Sequence, residues 1–351
     1  MIRSALILFT LLGWALPLHG EVLDPIQTIG DNFCRPGEGH PLGPGPAFSD
    51  DQERVKKSKA WQKRPISYGS WAKQSDLAIT LDQHLYAALR PLVEQFARDR
   101  GLKIALKEGT CGVSQGLLNR KRVDMAGFCC PPAATDRLPG LRFHTLAISS
   151  LAVLVPRDNP LDDLTPAQVR GLFSGAITHW DKIKGFDKGA LPDPSVWPLG
   201  RLHCIIRPGH WRLILDREDA FSARLHETGS IPNMIRKVAS YPNAIGYEVL
   251  WDVVRFPKEA KRIKALRIDG VHPSNTAALL DGRYPFYRVH SVAVWEQEGL
   301  RNPHIDALLT FLKGKMAHLD SKFHLIPIAE LPAEKWRFSG DELVGGPTHG
   351  G

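Results

Sequence analysis

The sequence lacks the short cysteine and histidine motifs that mark several common chemistries. It contains no Cys-x-x-Cys, no Cys-x-x-Cys-His and no His-Glu-x-x-His. These absences remove the usual support for a thioredoxin-like protein, a c-type haem protein or a zinc metalloprotease. Paired carboxylates are also missing from the candidate ligand loops identified below. We therefore expect neither enzymatic activity nor a cofactor.

The chain also lacks a block of like charge, an internal repeat and, after its first twenty residues, a long apolar run. Its net charge of +8 comes from lysines and arginines scattered over 351 residues. Nucleic-acid-binding proteins more often show a basic stripe with interleaved aromatic side chains. Hydrophobic residues at 43% and charged residues at 23% are typical of globular proteins. We expect a soluble monomer with no nucleic-acid partner, whose dispersed positive charge mildly favours anionic ligands.

The first twenty residues have the pattern of a signal peptide. Arg3 supplies the positive charge, a mostly apolar run follows over residues 5–18, and the small residue Gly20 ends the segment. A membrane anchor is the alternative, but the run is short for a membrane span of about 20 residues. Cleavage of residues 1–20 would place the mature protein in the periplasm or outside the cell, where disulfides can form.

Cysteine is scarce, and three of the five cysteines fall in one short segment. All five follow the predicted signal peptide: Cys34, Cys111, Cys129, Cys130 and Cys204. The odd number leaves at least one thiol without a disulfide partner in a monomer. Residues 109–131 begin as a glycine-rich turn that opens a short helix, and a turn of this kind presents backbone N–H groups to an anion.

Apolar periodicity predicts alternating strands and helices from residue 77 onwards. Strands are expected at 77–80, 102–106, 123–127, 204–207 and 244–250. Helices are expected at 83–100, directly after Gly109, and at 164–173, 211–226, 231–239 and 303–316. The apolar run 144–155 is too long for one average strand, so we expect it to pass between two lobes. This alternation predicts an α/β fold with mostly parallel strands.

The order of these segments resembles one known family. The helix at 164–173 with the following Phe-Ser-Gly-Ala-Ile-Thr-His-Trp, which ends at Trp180, is similar to a signature of the phosphate-type periplasmic solute-binding proteins of ABC importers. Four further segments agree with that family in order and rough spacing: 109–124, 243–247, 270–274 and 282–288. The resemblance implies a two-lobed, type II periplasmic-binding-protein-like (Venus flytrap) fold, in which each lobe is a mostly parallel sheet flanked by helices. Such proteins close on a small solute by hinge motion and present it to a membrane permease.

The resemblance and the composition together predict a division of the chain. The expected parts are a signal peptide (1–20), an irregular Pro/Gly-rich arm (21–65), a discontinuous first lobe (66–153 and 265–330), a second lobe (154–264) and a flexible tail (331–351).

In this fold a ligand lies at the carboxyl ends of strands and on helix N-termini. The residues at those positions are Asp82, Gln83, His84, Thr110, Cys111, Gly112, Cys129, Arg207, Gly209 and His210. Arg207 stands where the family's phosphate binders carry an arginine, and a guanidinium can bind an oxyanion through two N–H donors. The resemblance implies capture of a small, phosphate-like anion in the cleft between the lobes, for an ABC importer or for sensing.

The cysteines depart from the family pattern because they replace hydroxyl or acidic side chains. In one interpretation Cys111 and Cys129 form a disulfide, which stiffens the ligand loops and contributes on the order of 3 kcal/mol. In the alternative, His84, Cys111, Cys129 and His210 hold a soft transition metal such as copper or zinc. A third hypothesis is a thiol redox protein with reactive sulfurs at Cys129 and Cys130. The sequence leaves these alternatives open.

Overall fold

The computed structural model describes residues 48–201, 214–215 and 221–347, which fall within one compact unit, Gly39–Gly351. The strands are β1 (Leu77–Asp82), β2 (Ile104–Gly109), β3 (Met125–Phe128), β4 (Leu141–Pro156), β5 (Asp163–Leu164), β6 (Trp197–Gly200), β7 (His226–Glu227), β8 (Ala244–Val249), β9 (Ile263–Ala265), β10 (Arg267–Ile268), β11 (Tyr287–Trp295), β12 (Ile326–Pro327), β13 (Arg337–Ser339) and β14 (Glu342–Gly345). The α-helices are α1 (Lys59–Lys63), α2 (Gln83–Arg100), α3 (Cys111–Asn119), α4 (Pro166–Ser174), α5 (Ile231–Ser240), α6 (Leu250–Val254), α7 (Pro257–Ala260), α8 (Thr276–Leu280) and α9 (Ile305–Met316). The predicted α/β class is confirmed.

Ten strands form one sheet in the order β2-β1-β3-β11-β4-β8-β6-β7, and β9 and β12 also pair with β4. Strand pairs at both ends of the sheet are parallel, whereas β11 and β4 in the middle are antiparallel to their neighbours. The 16-residue strand β4 pairs with β11 and β12 through its earlier part and with β8 and β9 through its last residues. One continuous strand therefore joins the two halves of the fold, as the long apolar run predicts.

The helices begin and end at the residues that favour helix termini. The Asp82 carboxylate accepts hydrogen bonds from two backbone N–H groups at the start of α2, and Gly101 ends that helix with a left-handed φ of 63°. Thr165 caps α4, Pro166 takes its first position, and Gly175 follows its last residue with φ 81°. Both helices match their predicted positions because these capping signals are local in sequence.

Each half of the sheet is covered by its own apolar cluster. In the first half, α2 and α9 pack against the sheet through side chains that include Leu89 and Leu308. In the second half, α4 and α5 do the same through Phe173 and Met234. Two helix-covered halves of one sheet are the arrangement that a two-lobed fold requires. No helix in the described part of the chain has the length and apolar character of a membrane span.

The segment expected to be a flexible tail is packed against the rest of the protein as far as residue 347. Strands β13 and β14 form a hairpin, and the side chains of Trp336 and Leu343 are buried. The Arg137 guanidinium donates to both carboxylate oxygens of Glu342, at 2.6 and 3.2 Å. Short strands held by a long-range ion pair leave no periodic pattern in the sequence, which is why the sequence does not predict this hairpin.

The helix predicted at 211–226 is not seen in its described residues. Residues 221–225 form bends and turns, and His226 begins β7. The predicted signal peptide, the strand at 204–207, and Cys34 and Cys204 lie outside the described residues.

Candidate functional site

The candidate ligand loops meet at one edge of the sheet. Strands β1, β2 and β3 are parallel neighbours, so their carboxyl ends lie side by side. Asp82 ends β1, Cys111 begins the helix after β2, and Cys129 follows β3. This geometry explains how residues distant in sequence come together at one place.

Three sulfur atoms lie close together in this edge. The Cys111 and Cys129 sulfurs are 3.0 Å apart, and the Cys129 and Cys130 sulfurs are 3.9 Å apart. The backbone N–H of Cys129 also donates to the Cys111 sulfur at 3.2 Å. A separation of 3.0 Å exceeds the roughly 2.05 Å of a disulfide bond, so the predicted Cys111–Cys129 pair is adjacent but not bonded in this structure.

His84 and two acidic side chains form a second group beside the sulfurs. His84 Nδ1 lies 2.9 Å from Asp252 Oδ2, an ion-pair distance whose angles are not those of a hydrogen bond. One ligand atom each of His84, Glu248 and Asp252 falls within 4.8 Å of the others, and the same holds for Asp82, His84 and Cys129. Two carboxylates, those of Glu248 and Asp252, thus lie close to His84, although they come from β8 and α6 and not from the predicted ligand loops.

Strand β11 brings two buried polar side chains to the same place. Arg288 is fully buried, and its Nη1 lies 3.9 Å from the Cys129 sulfur and 3.8 Å from the Cys130 sulfur. Its Nη2 lies 3.8 Å from Glu248 Oε2. His290 lies two residues further along the same face of the strand and contacts the Ser149 hydroxyl through Nε2 at 2.7 Å.

Contacts across the site join residues of the predicted first and second lobes. Arg201, at the end of β6, donates to Gln83 Oε1 and to Glu248 Oε1, both at 3.4 Å. His84 faces Asp252, and Arg288 faces Glu248. Three of these four pairs, Arg201–Gln83, His84–Asp252 and Arg288–Glu248, take one member from each predicted lobe, whereas Arg201 and Glu248 both belong to the predicted second lobe.

Burial shifts the ionisation of the acidic and basic groups in the site. Burial, with a contribution from the neighbouring Cys111, raises the pKa of the Asp82 carboxyl to about 7. Contact with Cys111 is the main cause, ahead of burial, that raises the pKa values of the Cys129 and Cys130 thiols. Burial and the nearby His84 hold the pKa of His290 well below its usual range. These shifts favour neutral thiols at Cys129 and Cys130 and a neutral His290.

The structure places the remaining predicted ligand residues as follows. The Thr110 hydroxyl caps α3 by accepting the Val113 N–H at 3.3 Å, and Gly112 is exposed in the first turn of that helix. Arg207, Gly209 and His210 lie outside the described residues. Of the predicted set, Asp82, His84, Cys111 and Cys129 come together, and Gln83 reaches the site through Arg201.

Sequence reasoning missed several residues that the fold brings to the site. These are Arg201, Glu248, Asp252, Arg288 and His290. A signal for two of them exists, because Arg288 and His290 are polar residues with period-2 spacing inside a mostly apolar strand. For Glu248 and Asp252 the chain offers no comparable local signal, since only tertiary packing brings them to His84.

The arrangement offers binding groups of two kinds. Three sets of side chains each place their ligand atoms within reach of one metal ion: Cys111, Cys129 and Cys130; Asp82, His84 and Cys129; and His84, Glu248 and Asp252. Two nearly buried guanidinium groups, those of Arg201 and Arg288, offer N–H donors to an anion.

The chain matches a known protein family and is similar in fold to solved structures. A family model described as a PBP superfamily domain matches residues 67–314. Among solved structures, the chain is similar to an ABC-type phosphate transport receptor from Vibrio cholerae, with a TM-score of 0.56 and 18% identity over 72% of this chain and 99% of that one. It is also similar to a Clostridium perfringens protein solved with bound phosphate and described as a phosphate ABC transporter substrate-binding protein, with a TM-score of 0.59 and 17% identity over 72% of this chain and 99% of that one. At this identity the two structures show the fold alone.

Proposed function

Because this chain belongs to the PBP superfamily, we propose that it is an exported, non-catalytic solute-binding protein that captures a small anion between its two lobes. The family match confirms the resemblance predicted from the sequence. One similar structure is described as a phosphate transport receptor and the other holds bound phosphate, so phosphate is the first solute to test.

The observation that best supports an anion ligand is that the Arg288 side chain is buried with two N–H donors that make no hydrogen bond to the described residues. This guanidinium is 0% exposed, and its Nε and Nη2 atoms have no hydrogen-bond partner among the described residues. Leaving buried donors unsatisfied costs about 1–3 kcal/mol per group, more when the group is charged. Nε and Nη2 form the edge of the guanidinium that binds a carboxylate or phosphate through two parallel hydrogen bonds. An oxyanion at this edge would satisfy both donors.

Two other features of the site support the proposal. Helix α3 begins at Cys111, and its exposed first turn at Gly112 offers backbone N–H groups and the positive end of the helix dipole. Arg201 contributes a second guanidinium from the other predicted lobe, through its contact with Gln83. Groups from both predicted lobes thus converge on one position, as capture by closure requires.

We further propose that the protein works in the periplasm, or outside the cell, as a monomer that delivers its solute to an ABC permease or to a sensor. The predicted signal peptide at 1–20 and the family support this placement. A thiol redox role is disfavoured because reactive cysteines need exposure and a lowered pKa, whereas Cys129 and Cys130 are buried with raised pKa values.

Thermal unfolding in the presence of oxyanions tests the proposal. Phosphate, sulfate, arsenate and molybdate are added separately to the metal-free, reduced protein. A ligand at one hundred times its Kd stabilises the folded state by about 2.7 kcal/mol, and we expect at least one of the four to reach this level. Absence of stabilisation by all four oxyanions would contradict the proposal.

Two arginine variants give the matched comparison. Arg288→Gln is expected to abolish the anion-dependent shift, while Arg283→Gln is expected to keep it, because Arg283 is exposed and pairs with its near neighbour Asp281. Arg288→Lys keeps the charge but lacks the two-donor edge, so its anion affinity should fall about tenfold or more. If the same anion stabilises Arg288→Lys and the wild type equally, Arg288 does not bind the anion through its two-donor edge.

A further inference from the structure

Three cysteine side chains lie beside the proposed anion site, and their thiols have no role in that proposal. Cys111 begins α3, and Cys129 and Cys130 follow β3, so two loops supply the three side chains. Their sulfur atoms all lie within 4.8 Å of one another. The three residues are 7%, 9% and 1% exposed, so bulk water hardly reaches them.

The spacing suits one metal ion. Metal–sulfur bonds of about 2.3 Å in trigonal or tetrahedral geometry place neighbouring sulfurs roughly 3.8–4.0 Å apart. The Cys129 and Cys130 sulfurs are already 3.9 Å apart, and the Cys111 and Cys129 sulfurs need to separate from 3.0 Å by somewhat less than 1 Å. Cys111 lies at a helix terminus, where a side-chain rotation can supply that movement.

The surroundings can balance the charge of thiolates bound to a metal. Arg288 directs Nη1 toward Cys129 and Cys130 at 3.9 and 3.8 Å, while its Nε and Nη2 make no hydrogen bond to the described residues and Nη2 lies 3.8 Å from Glu248 Oε2. The Arg288 guanidinium can therefore contact the thiolates through Nη1 and the proposed anion through Nε and Nη2. His84 and Asp82 each have a ligand atom within 4.8 Å of the Cys129 sulfur and can supply a fourth ligand.

We propose that Cys111, Cys129 and Cys130 form a binding site for a single soft transition metal ion of the Cu(I) or Zn(II) class, beside the anion site and distinct from it. Each thiol that binds loses its proton to the solvent as the metal–sulfur bond forms, and no electron transfer is involved. The thiolates select soft ions over Mg²⁺ or Ca²⁺, which prefer oxygen ligands. Although the site lies beside the proposed anion site, its three ligands do not depend on that function.

Metal titration of the reduced full-length protein under anaerobic conditions tests the proposal, with Cu(I) and Zn²⁺ as separate probes. We expect one tightly bound ion per chain for at least one probe, and X-ray absorption should show three sulfur neighbours at about 2.3 Å. Cys130→Ser should lower the affinity at least about tenfold and reduce the sulfur count to two. Ser114→Ala is the matched control, because Ser114 is buried in the same helix as Cys111 and its hydroxyl has no hydrogen-bond partner in the described structure.

The outcomes separate this proposal from the anion proposal. Cys130→Ser should lose the metal but keep anion-dependent thermal stabilisation, since Cys130 takes no part in the proposed anion contacts. Binding of neither metal, a first shell of oxygen and nitrogen only, or unchanged affinity in Cys130→Ser overturns the metal site. So does a Cys111–Cys129 disulfide that persists in reductant, because it removes two of the three ligands. Failure of the oxyanion panel alone leaves the metal result unaffected.

Discussion

Replacing Asp82 by asparagine should stabilise the protein, and the gain should grow with pH. Asp82 is 1% exposed, and its Oδ2 has no hydrogen-bond partner within the described ranges. Its Oδ1 accepts the His84 and Leu85 N–H groups at the start of α2. Asparagine offers the same acceptor and is an equally good N-terminal cap, so the helix start is preserved while the ionisable group is removed.

The magnitude follows from the pKa of Asp82, which rises from 3.8 to about 7 in the folded protein. Between these values the folded protein keeps a proton that the unfolded chain releases, so wild-type stability falls as pH rises through this window. Each pKa unit is worth about 1.4 kcal/mol, which gives roughly 4 kcal/mol for the whole window and roughly 3 kcal/mol between pH 5 and pH 7. The advantage of Asp82→Asn should therefore be about 1–2 kcal/mol at pH 5, grow up to pH 7 and level off above it.

Urea unfolding of the metal-free, reduced protein at pH 5, 6, 7 and 8 measures this difference, with fluorescence of the nine tryptophans as the signal. Asp320→Asn is the control, because Asp320 is exposed and hydrogen bonds from Lys322 lower its pKa. That lowered pKa predicts a pH effect of the opposite sign in the control, confined to acid pH. A stability difference between Asp82→Asn and wild type that stays constant from pH 5 to pH 8 would show that Asp82 does not titrate with a raised pKa in the folded protein.

Further predictions concern the hairpin and the packing beside the site. Glu342→Gln should cost about 3–5 kcal/mol in urea unfolding, because it leaves the Arg137 guanidinium buried without its carboxylate. Glu296→Gln breaks the exposed pair between Arg142 and Glu296 and should cost under about 1 kcal/mol. Equal losses in the two variants would contradict burial of the Arg137–Glu342 pair. Gly127→Ala should cost about 1–3 kcal/mol, because its Cβ would meet backbone atoms of the neighbouring strand at 3.1 Å. Gly314→Ala, in the open face of α9, should instead stabilise by about 0.5–1 kcal/mol in the same assay, and a gain in Gly127→Ala would contradict the packing.

The parts of the fold that depend on local signals could be predicted from the sequence. Helix α2 occupies 83–100 as expected, since Asp82 and Gly101 are strong start and stop residues. Helix α4 is equally clear from Thr165 and Pro166. The hairpin at Arg337–Gly345 could not be predicted, because it is held by side chains distant in the sequence.

The candidate site also has residues that local sequence signals predict and residues that they do not. Asp82, His84, Cys111 and Cys129 were found because each follows a strand or begins a helix, and parallel strands bring such positions together. Arg288, which completes the site, lies inside a strand, where sequence reasoning expects core side chains. The paired acids Glu248 and Asp252 meet His84 only through the packing of the two halves of the fold.

Native mass spectrometry of the intact protein with each of the four oxyanions is the most direct test of the central claim. We expect a complex of one anion per chain for at least one of phosphate, sulfate, arsenate and molybdate, and we expect that complex to be lost in Arg288→Gln. A wild-type protein that stays free of all four anions at millimolar concentration would contradict it.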